Sequence, residues 1–148
     1  MAGFVLGIYL TLKLASYCVV CYLGVTWLRS EFKNRYAAAA LLGLGRLLLG
    51  IGLGLFIYQA STRMYAAMPD GLPRRLTTYL AVYVPTRWLE WSVMAFVITP
   101  TARSIRGLFL GAGATDRLWR CLGIGASCIA DIPVMVVLGG LPVGRFFC

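Results

Sequence analysis

The stretch YLAVYVPTRWLEWSVMAFVIT, Tyr79 to Thr99, is apolar and long enough for a membrane helix, yet it holds Arg87 and Glu90 at its middle. A charge at bilayer depth costs roughly 2.5 to 3.5 kcal/mol even on insertion scales, so the run needs a reason to carry two. Their spacing supplies part of that reason. Three residues apart, they share one helical face, where they can neutralise each other. Pro85 removes a backbone donor and crowds the carbonyl four residues back, so a kink is expected just ahead of Arg87.

The other apolar runs repeat the pattern, each with one charge near its centre: Lys13, Arg46 and Asp131. The first run is Phe4 to Trp27. The second, Ala37 to Gln59, carries Gly43, Gly50 and Gly54, whose spacing suits close helix approach. The last, Cys121 to Gly139, contains Asp131 and Pro133, repeating the proline two residues from a charge seen at Pro85 and Arg87. Because these two runs are expected to be antiparallel, both prolines fall on one side of the charges, and a shared kinked zone follows.

The expected fold is therefore all-α: a polytopic membrane protein forming a four-transmembrane-helix bundle with kinked third and fourth helices. A single transmembrane domain spans 1–148, with membrane segments near 4–27, 37–59, 79–99 and 121–139. Composition agrees. Of the 148 residues, 60% are hydrophobic and 13% charged, against about 25% charged in soluble domains, and the mean hydropathy is +0.81.

The net charge of +9 lies mainly in short links between the apolar runs, a placement that suits anionic headgroups and topology control and argues against nucleic acid. The link Ser30 to Tyr36 forces the second helix antiparallel to the first. The longest polar connection is Ser61 to Thr77; its PDGLP turn is followed by Arg74 and Arg75, which are expected to anchor lipid phosphate. The third link, Thr101 to Arg120, mixes Arg103 and Arg106 with apolar residues, as a short interfacial helix would, and is interrupted by Gly111 and Gly113. Arg29, Lys33, Arg35, Arg103, Arg106, Arg117 and Arg120 give one side seven basic residues against Arg63, Arg74, Arg75 and Arg145 on the other. Both termini are thus expected on the non-cytoplasmic side of a bacterial inner membrane, or the intermembrane-space side of a mitochondrial one.

The charges at mid-depth are Lys13, Arg46 and Arg87 against Glu90 and Asp131, one positive in excess. A structural reading pairs Arg87 with Glu90 and Arg46 with Asp131, leaving Lys13 to snorkel or to face the bundle. A functional reading makes Arg46, Arg87 and Lys13 an anion site, with Glu90 and Asp131 as orienting groups or as acid and base. Coupled ion or proton movement is the third. The absence of histidine excludes His-based triads and zinc motifs, and neither a phosphate loop nor a serine elbow is present. No cofactor or metal is expected. Cys18 and Cys21 have the CxxC redox spacing, but no second cysteine pair lies in a loop to relay electrons, and cysteine also packs well inside helices.

The function expected from these features is a structural or accessory subunit of a larger membrane complex, with anionic lipid and other membrane subunits as partners. The alternatives are a membrane-embedded transferase or hydrolase acting on a phosphate-bearing lipid, and a small ion or solute transporter component.

Overall fold

In the computed structural model, which describes residues 2–28, 31–69, 72–99 and 104–137, the chain is all-α. Arg29, Arg103 and the chain end from 138 onward, with the expected membrane exit at Pro142 to Arg145, lie outside the described residues.

Helix α1 is Ala2–Trp27 and α2 is Arg35–Ala66. Asn34 starts α2 by accepting from the Ala37 amide at 3.1 Å, satisfying one of the helix's orphan donors. At about 1.5 Å per residue, the 32 residues of α2 reach about 48 Å, well past the expected end at Gln59. The overrun has a local cause. Ser61 and Thr62 bond back to the Tyr58 carbonyl, at 3.1 and 2.7 Å, so their polarity is absorbed by the helix instead of ending it.

Next come α3 (Leu72–Thr78), a π-helical segment (Tyr79–Tyr83) and α4 (Val84–Ile98). Pro85 sits at the start of α4, and the carbonyl it would crowd belongs to Ala81, inside the wider π turn. The disruption demanded by the proline therefore lies just ahead of Arg87. Helix α5 (Ile105–Leu110) is capped by Ser104 and stopped by Gly111 at φ 81°. Helix α6 runs Ala114–Val137 with Pro133 inside it. It begins about two turns before the expected Cys121. Asp116 accepts from the Ala112 amide at 2.7 Å and pairs with Arg120, so residues read as a charged link open the helix.

Among the described residues, two helical stretches are long and apolar enough to cross a membrane: Gly7–Trp27 at mean hydropathy 1.6 and Arg35–Ala66 at 2.1. The expected third and fourth spans do not join them on that measure. α4 has only 15 residues after the π segment, and α6 carries Asp116, Arg117, Arg120 and Asp131.

α1 packs chiefly on α2 and α6, while α4 packs on α6 and α2. Two apolar clusters result. The larger joins Tyr17, Cys21, Leu42, Trp91, Ile98 and Trp119; the smaller joins Ile57, Tyr79, Val82 and Tyr83. At Gly43 α2 lies close against α1, where an added Cβ would lie 2.7 Å from Cys18 Sγ. Gly50 and Gly54 also lie on the buried face of α2.

Candidate functional site

The five charges expected at mid-depth are Lys13 on α1, Arg46 on α2, Arg87 and Glu90 on α4, and Asp131 on α6. None of the five is more than 3% exposed. Asp131 is their centre. Its Oδ1 receives the Lys13 ammonium at 3.0 Å and the Tyr9 hydroxyl at 3.0 Å, and its Oδ2 receives Arg87. Glu90 is held by Arg46. Both expected pairings are therefore exchanged: Arg87 bonds to Asp131, Arg46 bonds to Glu90, and Lys13 does not snorkel. Helical side chains lean toward the N-terminus of their helix. Arg87 accordingly turns back to Tyr79, donating to its hydroxyl at 2.8 Å and to Cys128 Sγ at 2.9 Å, and away from Glu90.

One positive charge remains in excess, and aromatic faces surround the cations. Lys13 lies 4.7 Å from the Tyr9 ring, and Arg46 lies 4.7 Å from Tyr17 and 5.3 Å from Trp91. Arg87 lies 5.7 and 6.0 Å from Tyr79 and Tyr83. The negative face of each ring attracts a desolvated cation, so these rings offset part of the cost of burying the unmatched positive charge. Tyr9, Tyr17, Tyr79 and Tyr83 were not among the expected site residues. Their signal is a spacing of four: Tyr9, Lys13 and Tyr17 share one helical stripe, and Tyr79, Tyr83, Arg87 and Trp91 share another.

A second polar centre was also missed. Arg120 is fully buried and donates to both Asp116 oxygens, at 2.9 and 2.8 Å, to Ser92 Oγ, and to the carbonyls of Leu108 and Gly107. It thereby ties α5 to α4 and α6, aided by Trp88 Nε1 donating to the Phe109 carbonyl at 2.7 Å. The spacing of Asp116 and Arg120, four apart, was the available signal.

The remaining expected residues are dispersed. Arg74, on α3, is half-buried against the last turns of α2, bonded to the Tyr65 carbonyl and lying 3.7 Å from its ring. Arg75 and Arg106 are exposed, and Arg103 is outside the described residues. Cys18 and Cys21 are free thiols, the first set against Gly43 and the second fully buried in the larger apolar cluster.

Burial limits the chemistry of the central layer. Proton transfer or phosphate capture needs a path to a substrate, whereas here both carboxylates are taken up by cations and covered by packed side chains. Comparison with protein-family models, with curated proteins and with solved structures finds no match to this chain.

Proposed function

We propose that this chain is a small accessory subunit of a larger membrane assembly: one four-span α-helical domain whose charged layer is a structural clasp and whose basic rims meet anionic lipid. The observation carrying the reading is an inverted distribution of polarity. Lys13, Arg46, Arg87, Glu90 and Asp131 are buried, while Leu41, Leu48, Leu55 and Phe56 are 57–70% exposed. An outward apolar surface of that extent suits hydrocarbon or a partner helix and is a liability in water. The segment from α3 to α4 and helix α6 show the same arrangement, with Leu80, Phe96, Ile129 and Val136 outward, and this supports counting them as the third and fourth spans.

A clasp of ion pairs sealed from the surface favours scaffolding over turnover. The proposed location is a bacterial or mitochondrial inner membrane, with both termini on the non-cytoplasmic or intermembrane-space side. That sidedness rests on the basic residues of the links, from which the buried Arg120 drops out.

One observation favours a second reading. Arg46 Nε and Trp91 Nε1 are buried without hydrogen-bond partners among the described residues, in a layer with an excess positive charge. Two unused donors suit an anion, as in a transferase or hydrolase acting on a phosphate-bearing lipid, but that reading needs an opening which the burial of the layer does not favour.

Native mass spectrometry after gentle extraction from the source membrane, with lipid analysis of the same preparation, separates the two. Protein subunits co-purifying at fixed stoichiometry are expected. A lone chain or homo-oligomer retaining one anionic lipid overturns the accessory reading and makes Arg46, Arg87, Glu90 and Asp131 the residues to replace in a turnover assay.

A further inference from the structure

Where the first link enters α2, an open groove of about 430 Å³ lies between the start of α2 and the end of α4. Its volume falls within the range of roughly 300–1,000 Å³ typical of small-molecule sites. The walls are apolar: Ala37, Ala38 and Leu41 from α2 face Val97 from α4. The alanines leave the space, and Leu41, at 70% exposed, carries the apolar wall out to the surface. Phe32, Lys33 and Asn34 line it at the link. Asn34 is occupied as the cap of α2, whereas Lys33 is exposed and forms no ion pair among the described residues. Glu31 lies in the same link but does not line the groove.

A groove that is apolar along two helix ends and cationic at the link has the polarity of a lipid standing at the membrane surface. We propose that it seats one anionic glycerophospholipid, with the headgroup phosphate on the Lys33 ammonium and the upper acyl chain between Leu41 and Val97. The charge fits: the chain carries +9, and this link contributes a lysine with no ion pair among the described residues, beside acyl-compatible walls. The proposal rests on reading the chain as a membrane bundle and gives its lipid contact a definite place, with none of Arg74, Arg75 and Arg106 among the lining residues.

The test is native mass spectrometry of the purified full chain in mild detergent, with phosphatidylglycerol, phosphatidylcholine or oleate added. Wild type is compared with K33Q and A37F. Lys33 and Ala37 are both exposed, so neither change disturbs packing, and matching thermal midpoints check that. Wild type is expected to retain one phosphatidylglycerol in preference to phosphatidylcholine. K33Q is expected to cut that retention about fivefold, the effect of one basic residue at an anionic surface, and to spare phosphatidylcholine. A37F is expected to reduce both by filling the groove. Equal retention by all three proteins overturns the proposal, as does a preference for oleate or none between the phospholipids. Subunits co-purifying from the source membrane are scored separately, so losing the lipid site leaves the accessory reading standing, and the reverse.

Discussion

Arg87 of α4 and Asp131 of α6 are bonded to each other where neither is more than 3% exposed, and Lys13 of α1 shares the same carboxylate. One aspartate therefore joins three helices, while Arg46 and Glu90 bring α2 to α4. A charge freed from this layer has no water at hand to solvate it, so the pairs are worth most when considered by the cost of breaking them.

Asp131→Asn leaves Lys13 and Arg87 without their anion. We expect a loss of about 3–5 kcal/mol in the free energy of unfolding, read from denaturant titration of the chain in detergent. The triple variant Lys13→Met, Arg87→Met, Asp131→Leu removes all three charges together and is expected to recover most of that loss. Arg75→Gln, at an exposed rim position, serves as the control. If D131N unfolds with R75Q, the layer is not what holds the helices together.

The charges were legible because each stands out in an apolar run, and their common layer follows from span positions alone. Their partners were not. α1 has apolar residues all round it, so hydrophobicity alone does not give its rotation, and pairing by proximity along α4 put Arg87 on Glu90. The aromatic stripes Tyr9, Lys13, Tyr17 and Tyr79, Tyr83, Arg87 held the missing phase, since tyrosines four apart mark the face a cation shares. Element ends failed for a different reason. Polar residues such as Ser61, Thr62, Asp116 and Arg120 read as links, yet each finds its partner within a turn and continues the helix. The glycine reading was sound at Gly43, where α1 and α2 touch.

Arg120→Leu leaves the buried Asp116 carboxylate without its cation, with the Ala112 amide still bonded to it, and takes the donor from the Gly107 and Leu108 carbonyls. A loss of about 3–5 kcal/mol is expected. Amide hydrogen exchange across 105–110 should accelerate more than exchange in α1, because α5 hangs on this side chain. Asp116→Asn in the same chain should return part of the stability without slowing that exchange. Uniform acceleration throughout the chain would count against a local role.

Gly43 and Gly45 differ in what lies beyond them. A Cβ at Gly43 meets Cys18, whereas one at Gly45 finds nothing within 4 Å. Gly43→Val should cost about 1–3 kcal/mol by overpacking, while Gly45→Val stays within about 0.5 kcal/mol of wild type in unfolding titrations. Cys18→Ala alongside Gly43→Val is expected to restore only part of the loss, because the Cys18 backbone nitrogen, at 3.0 Å, also crowds the added Cβ and stays when the sulfur, at 2.7 Å, is removed. Equal effects at 43 and 45 would contradict the packing of α1 on α2.

The cysteines separate a redox role from packing. Cys121 is exposed, Cys18 and Cys128 are half-buried, and Cys21 is fully buried. With Cys148, outside the described residues, replaced by serine, a membrane-permeant maleimide should modify Cys121 first and Cys21 last, followed by mass spectrometry of the intact chain and its peptides. Reductant should leave that order unchanged, because Cys18 and Cys21 are free thiols filling space against α2 and the larger apolar cluster. A Cys18–Cys21 disulfide recovered from membranes under alkylating conditions, or fast modification of Cys21, would instead expose this turn of α1 and revive the redox reading of the CxxC spacing.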